Sequence, residues 1–152
     1  MKYFIFIVVF SISTFAYSEC PDVSGKTEFI ISEHVKKIKG GENCKYRKTF
    51  QDNGIEFVVY TVNGPCFKVE AAHGSCGNKY FSYLTGIVGG SIYYPTAVGA
   101  KGDFHIHSIT YNNGTITLEG LSYSKKDPMC CPGISSTRKY QTGNSKFVKI
   151  QP

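Results

Sequence analysis

The chain has 152 residues, of which 41% are hydrophobic, and a formal net charge of +6. On length alone this is one domain, and it is long enough to bury one modest core. The basic residues are scattered along the sequence. A solvated basic surface is therefore favoured over a nucleic-acid groove, and no nucleic-acid partner is expected.

The first eighteen residues have the pattern of a secretory signal peptide. A charged start precedes an apolar run from Tyr3 to Phe10, and Ala16 and Ser18 are small residues in the positions that a cut after Ser18 requires. The apolar run is short for a membrane span, so we expect no stable span after cleavage. The prediction is a leader over residues 1–18 and a single secreted or periplasmic domain over residues 19–152.

All six cysteines lie beyond this leader, and an even number in an exported chain indicates oxidised pairs. The disulfide candidates are Cys20, Cys44, Cys66, Cys76, Cys130 and Cys131. Many pairings are possible, and spacing alone does not choose among them. The chain contains no C-x-x-C motif, which disfavours a structural zinc site, and no cofactor is expected.

Cys130 and Cys131 are adjacent and lie between Pro128 and Pro132, where an ordinary strand or helix is disfavoured. In one reading each cysteine bonds to a different partner and staples the loop to two places. In a second they bond to each other, which would leave the pairs Cys20–Cys44 and Cys66–Cys76. A third reading makes them a reduced redox or metal site. We favour the staple.

The segment from Thr27 to Lys39 is the one helix that the pattern predicts. Ile31, Val35 and Ile38 recur at helical spacing and form one apolar face. Thr27 can cap the start, and a pair of glycines follows as a stop signal.

Short strands are predicted for the rest of the chain. The β-branched and aromatic run Ile55–Val62 predicts a central strand that is covered on both faces. The remaining predicted strands are Phe67–Ala71, Tyr80–Leu84, Ile92–Tyr94, Thr137–Gln141 and Lys146–Ile150, the last two forming a hairpin.

A further hairpin is predicted from Phe104 to Tyr123. It turns at Asn113-Gly114, the residue pair that a two-residue type I′ turn favours. The apolar residues of the hairpin change face part-way along it unless a bulge near Ser108 or Glu119 restores their alignment. Together these elements predict an α+β fold: one N-terminal helix packed on a mostly antiparallel, curled β-sheet or small barrel, stapled by disulfides.

His105 and His107 alternate along a predicted strand, so both imidazoles face one side. Two such histidines can share a metal ion, and His73 or Glu119 could complete the ligand set. The other reading, which we favour, is a polar patch on an outer strand face. The residues opposite would then be Gly120 and Ser122.

The segment His73-Gly74-Ser75-Cys76-Gly77, with Cys66 before it, resembles the protruding loop of periplasmic lysozyme inhibitors, which enters the enzyme's cleft. In that family the two cysteines are closer together and enclose a Pro-His-Asp core, where this chain has Ala71-Ala72. The resemblance implies a surface binding loop with His73 and Ser75 as candidate contacts. A stapled hairpin end explains the same residues and is the reading we favour.

The last third of the chain is similar to a pattern in bacterial exported proteins, most of them uncharacterised. The similarity is carried by Asn113-Gly114-Thr115, by Asp127-Pro128-Met129-Cys130-Cys131-Pro132 and by Tyr140. It implies a secreted or periplasmic bacterial protein and brings no catalytic residue with it.

Sequence motifs predict no catalytic residue either, because the chain has no G-x-S-x-G elbow and no evident carboxylate pair. We therefore expect an exported, disulfide-stabilised binding protein of the bacterial envelope, whose partner is another protein of the envelope or exterior, such as a secreted enzyme that it inhibits. The alternative is a thiol-redox or metal-handling protein that uses Cys130-Cys131 or His105 with His107.

Overall fold

The computed structural model describes residues 20–64, 79–128 and 131–150. Its helix, α1, spans Gly25–Lys37, and a 3-10 turn spans Cys44–Tyr46. The strands are β1 Gly41–Glu42, β2 Lys48–Asp52, β3 Ile55–Asn63, β4 Tyr80–Val88, β5 Ser91–Ala100, β6 Phe104–Asn112, β7 Thr115–Ser122, β8 Ile134–Thr142 and β9 Phe147–Ile150. The predicted strand Phe67–Ala71 lies outside the described residues. Among the residues described, no helix has both the length and the apolar character to cross a membrane.

The described strands form two antiparallel sheets. In the first sheet, β1 and β2 both pair with β3, which pairs with β4, and β4 pairs with β5. The second sheet has the order β6-β7-β8-β9. The predicted α+β class and the antiparallel pairing are confirmed, with a disulfide between Cys20 and Cys44. The curled sheet stays a prediction.

Strand β3 lies at the centre of the molecule, as its continuous apolar run predicts. Phe57 and Val59 belong to a core cluster shared by residues of both sheets, whereas Val58 and Tyr60 belong to a second cluster with Ile31 of α1. Side chains alternate between the two faces of a strand, so one strand can serve both clusters. The molecule therefore has three layers: α1, the first sheet and the second sheet.

Helix α1 begins at Gly25 with Ser24 as its N-cap, so the prediction that Thr27 caps the helix is wrong. The Ser24 hydroxyl oxygen accepts a hydrogen bond from the Thr27 backbone N–H at 3.3 Å. The predicted apolar face is confirmed, since Ile31 is buried and Val35 and Ile38 pack on the same cluster.

The carboxylate of Glu56 on β3 lies against the start of this helix. It accepts hydrogen bonds from the Ser24 N–H (2.8 Å), the Ser24 hydroxyl (2.6 Å), the Thr27 hydroxyl and the Gln51 amide (2.7 Å). Burial by itself would raise the pKa of Glu56, but these hydrogen bonds outweigh it and lower the pKa below its ordinary value. A tertiary contact, which local sequence does not reveal, thus holds both hydroxyls at the start of the helix.

We expect Glu56→Gln to lower the free energy of unfolding at neutral pH by about 1.5–3 kcal/mol, the range for hydrogen bonds to a charged group. A carboxyl with a lowered folded pKa stabilises the fold above its ordinary pKa of 4.5, and the contribution is lost as the pH falls through the folded value. Urea unfolding at about pH 7 and about pH 3 should show a smaller loss of stability on acidification in this variant than in the wild type. The exposed Glu33→Gln is the control, and equal wild-type and Glu56→Gln stabilities at neutral pH would refute the prediction.

The predicted hairpin of β6 and β7 is confirmed, including its bulge. Asn113 and Gly114 have φ values of 47° and 77°, as a type I′ turn requires. The strand register shifts between Ile106 and Ser108, so that Ile106 lies opposite Gly120. Because of this shift, the apolar side chains on both sides of the bulge face the same core.

Candidate functional site

The disulfide between Cys20 and Cys44 joins the segment before α1 to the 3-10 turn, with a sequence separation of 24. Within the described ranges, Cys20, Cys44 and Glu42 form the one group of three close residues of metal-ligating type. The sulfurs of Cys20 and Cys44 are bonded to each other, and the Glu42 carboxylate forms an ion pair with Arg47 at 2.7 Å. This group is therefore a structural staple.

The loop between β7 and β8 contains the described part of the paired-cysteine motif. Asp127 accepts hydrogen bonds from the backbone N–H groups of Ser124 (2.8 Å) and Gly133 (3.1 Å), and they lower the pKa of its carboxyl. The Cys131 N–H donates to the Pro128 carbonyl at 2.9 Å, and Cys131 is disulfide-bonded. Its hydrogen bonds thus fold this loop onto itself.

Several candidates fall outside the described residues. They are Cys66, Cys76, Cys130, His73 and Ser75. The choice between a vicinal bridge and two separate partners for the paired cysteines therefore stays a prediction, and so does the binding loop.

The structure places His105 and His107 side by side, with ring centroids 5.0 Å apart. Their environments differ, however: His107 is exposed at the bulge, whereas His105 is partly buried with its ring 5.6 Å from that of Tyr46. His105 lies opposite Leu121, so the predicted pairing with Ser122 or Gly120 is wrong. The bulge is the reason, because it moves the register by one residue.

His105 opens onto a cavity of about 220 Å³, which we call the His105 pocket. Six described parts of the chain meet there: the end of β3, the start of β4, the 3-10 turn, the turn between β5 and β6, strand β6 and the loop between β7 and β8. The described lining residues are Tyr46, Thr61, Tyr80, Lys101, His105, Tyr123 and Pro132.

The pKa values of two groups in the His105 pocket are displaced. Burial, with the nearby charges of His107 and Lys48, lowers the pKa of His105. Burial and a hydrogen bond with Tyr123 raise the pKa of Tyr80 to about 12. At neutral pH the pocket therefore presents a neutral imidazole and a neutral Tyr80 phenol.

A second concave surface lies between α1 and β5, on the opposite side of the first sheet from the core between the sheets. Phe29 and Tyr94 are 65% and 53% exposed there, although both are large and apolar. We call this surface the Phe29–Tyr94 groove; its volume is about 660 Å³. Its other lining residues are Ile30, Glu33, His34, Lys37, Ile38, Pro95 and Lys146.

A bulge in β5 presents Tyr94 to this groove. Leu84 of β4 lies opposite Thr96, whereas Gly86 lies opposite Tyr93, so Tyr94 and Pro95 together face a single residue of β4. Such a bulge turns side chains away from the regular pleat. Pro95 suits the position because β5 is an edge strand of its sheet.

Sequence reasoning missed both concave surfaces. The exposure of Phe29 could have been predicted from the sequence. At helical spacing it lies off the face formed by Ile31, Val35 and Ile38, so its side chain should have been expected in solvent. No local pattern predicts that Tyr46 and Lys101 line one pocket, since only the tertiary fold brings them together.

Comparisons with family models, with curated proteins and with solved structures found no significant match to this chain. Its function must therefore be argued from these surfaces.

Proposed function

We propose that this chain is an exported, disulfide-stabilised binding protein that recognises another protein of the bacterial envelope or exterior. The observation that carries the proposal is the pair Phe29 and Tyr94, exposed on either side of one groove. Exposed aromatic side chains around a concave surface are typical of protein-interaction sites, where they provide the anchoring contacts.

The groove combines an apolar floor with a charged rim. Ile30 is buried below it, and Lys37, Lys146 and Glu33 stand around it, so the rim has an excess of positive charge. Complementary charge steers association and sets orientation. We therefore expect a partner segment with an apolar side chain that enters the groove and acidic residues beside it.

The groove is held in shape before any partner binds. The Tyr94 N–H donates to the Ser145 carbonyl at 2.9 Å, and the Thr85 hydroxyl donates to the Tyr93 carbonyl at 2.7 Å. A surface that is already ordered loses less conformational entropy on binding. The export of the chain is supported by the leader pattern and by its disulfides.

Inhibition of a secreted enzyme is one form of this binding function. It is implied by the resemblance of the segment from Cys66 to Cys76 to the loop of lysozyme inhibitors. Such an inhibitor would use the groove as a contact surface as well.

The test is affinity capture from envelope extracts and extracellular fluid with immobilised wild-type protein. The double variant Phe29→Ser/Tyr94→Ser should bind the captured partner at least about thirtyfold more weakly, since an anchoring aromatic contributes about 2 kcal/mol or more. Val148→Ser is the matched control, because Val148 is 58% exposed and lies on β9. No partner recovered, or equal binding by the double variant and the control, would refute the proposal.

A thiol-redox or metal-handling function is the alternative, and the 5.0 Å approach of the His105 and His107 rings favours its metal form. Titration of free thiols and elemental analysis of the purified protein separate the two functions. The binding function predicts no free thiol and no bound metal. Reactive thiols at Cys130 and Cys131, or one metal ion per chain that His107→Gln removes, would favour the alternative.

A further inference from the structure

His34 is a polar residue in the wall of the Phe29–Tyr94 groove. It lies four residues after Ile30 and four before Ile38, and all three line the groove. Residues four apart share one face of a helix, so α1 presents an imidazole between two apolar side chains. His34 is only partly buried, and a partner segment seated in the groove can therefore reach it.

The Tyr60 hydroxyl holds one nitrogen of this imidazole. It lies 2.7 Å from Nδ1 of His34, and Tyr60 is fully buried on β3. The His34 ring also meets the ring of Tyr83 edge-on, with centroids 4.5 Å apart, and Tyr83 stacks on Tyr60 at 5.7 Å. These contacts set the orientation of the imidazole before any partner binds, which lowers the entropy lost on binding.

The same hydrogen bond decides which nitrogen of His34 carries the proton. Burial raises the pKa of Tyr60 well above its ordinary value, so the phenol keeps its proton. If Nδ1 were the donor, the Tyr60 proton would have no other acceptor among the described residues and would be buried without a hydrogen bond, an arrangement that native structures avoid. Tyr60 therefore donates to Nδ1, and the proton of the neutral imidazole lies on Nε2.

The surroundings of Nε2 favour an acidic ligand group. Nε2 lies on the side of the ring away from Tyr60, and burial and the charge of Lys37 lower the pKa of His34, so the imidazole is neutral at neutral pH. An oxygen that accepts from Nε2–H therefore also lies near the Lys37 ammonium group, which favours a carboxylate over a neutral carbonyl. Glu33 lines the groove too, but Lys37 and Lys146 outnumber it.

We propose that His34 recognises an acidic side chain of the protein partner: its Nε2–H donates to the carboxylate, Lys37 adds its charge, and Tyr60 holds the ring in place. The apolar side chain next to that acidic residue packs against Phe29 and Tyr94. This inference rests on the proposed binding function and deepens it by naming the group that is recognised. His34 acts as a neutral donor, and Tyr60 is a positioning residue.

The Tyr60 hydrogen bond should make this recognition nearly independent of pH. A proton on Nδ1 would displace the Tyr60 hydrogen from its acceptor, so the contact disfavours the imidazolium. The titratable and charged groups that contact His34 or line the groove with it are Glu33 and Lys37 on α1, Tyr60 on β3, Tyr83 on β4, Tyr94 on β5 and Lys146 in the turn before β9.

The first test needs no partner. Nitrogen-15 NMR of the imidazole in the purified, oxidised protein should show a neutral His34 with its proton on Nε2 at neutral pH. Tyr60→Phe keeps the ring and removes the hydroxyl, so the pKa of His34 should rise. A proton on Nδ1 in the wild type would overturn the inference even if the variant fails to fold, and so would an unchanged His34 pKa in a folded variant.

The second test uses two peptides that differ in one charge. They are N-acetyl-phenylalanyl-glutamate with an amidated C-terminus and its glutamine counterpart. In NMR titrations at neutral pH, the glutamate peptide should bind with a dissociation constant of about 1 mM and the glutamine peptide about fivefold more weakly. No saturable binding of the glutamate peptide up to about 20 mM would overturn the inference. Equal binding of both peptides that Phe29→Ser/Tyr94→Ser abolishes would overturn it too, while the binding function of the groove would stand.

The third test replaces His34. His34→Asn keeps a polar group near the Nδ1 position but loses the Nε2 donor, and it should weaken binding of the glutamate peptide about fivefold. His34→Gln places an amide donor near Nε2 and should bind within about twofold of the wild type, as should the control Val148→Ser. Peptide-induced NMR shifts that avoid His34 and Lys37 would overturn the inference even if a variant fails to fold.

The pH profile separates the role of Tyr60 from a general effect on structure. Between about pH 7.5 and about pH 6, the affinity of the wild type for the glutamate peptide should change by less than about twofold. In Tyr60→Phe the imidazole can take a second proton, so the affinity should rise at least about threefold over the same range. A rise in the wild type as large as in this variant would contradict the assigned role of Tyr60.

Discussion

Replacing Arg47 with Met is expected to lower the free energy of unfolding by about 3–5 kcal/mol, the range for removing one partner of a buried ion pair. The Arg47 side chain is only 1% exposed. Its guanidinium donates to Glu42 at 2.7 and 2.8 Å, to Glu28 at 2.7 Å and to the Pro21 carbonyl at 3.1 Å. Burial would lower its pKa, but these carboxylates raise it, so Arg47 stays charged. Met fills the space and leaves the Glu42 carboxylate without its cation.

The measurement is urea unfolding at neutral pH with the disulfides intact. Arg47→Lys should fall between the wild type and Arg47→Met, because lysine keeps the charge but lacks the planar fork that reaches two carboxylates. Glu28→Gln is the control: the Glu28 side chain is 50% exposed, so its loss should cost about 1 kcal/mol or less. A loss in Arg47→Met no larger than that of the control would contradict the prediction.

Replacing Phe57 with Ala should also cost about 3–5 kcal/mol, as for other buried Phe→Ala substitutions. Phe57 is fully buried between the two sheets. Its ring centroid lies 5.2 Å from that of Tyr111, 5.8 Å from that of Phe147 and 6.2 Å from that of Phe50. The truncated side chain would leave a cavity among aromatic rings, which cannot close without moving both sheets.

Phe29→Ala makes the same change on the surface and serves as the control. Phe29 is 65% exposed, so the free energy of unfolding should change by no more than about 0.5 kcal/mol. Thermal or urea unfolding of both variants checks the prediction. A Phe57→Ala protein as stable as Phe29→Ala would mean that the two sheets do not share the core described above.

These two residues also separate stability from binding. Phe57→Ala should destabilise the protein and leave the two concave surfaces in place under native conditions. Phe29→Ala should instead weaken partner binding at the Phe29–Tyr94 groove without destabilising the protein. Partner binding measured well below the unfolding midpoint therefore distinguishes a direct contact from a general loss of structure.

Local patterns in the sequence predicted the central elements of the fold. The spacing of Ile31, Val35 and Ile38 predicted the buried face of α1, and the apolar run of β3 predicted its burial on both faces. Asn113-Gly114 predicted a hairpin turn. In each case the backbone period or the residue's φ preference is a local property, so a short stretch of chain is enough to read it.

Elements held mainly by pairing with other parts of the chain were not predicted. Strand β2, Lys48–Asp52, has no strong alternation of its own and exists because it pairs with β3. The contacts at the helix start were not predicted for a similar reason, since Glu56 on β3 binds the hydroxyls of both Ser24 and Thr27. Pairing and capping by distant groups are free-energy terms that no local window contains.

The sequence by itself determined the α+β class, the leader pattern, the cysteine set and the position of the histidine pair. The tertiary structure alone decided that His105 would face Tyr46 and Lys101 in a pocket, and that Phe29 and Tyr94 would flank one groove. The elements were predictable and the surfaces were not, because sequence periodicity specifies only which face of an element is buried. What two faces form together depends on sheet register, bulges and layer packing, which arise only when the whole chain folds.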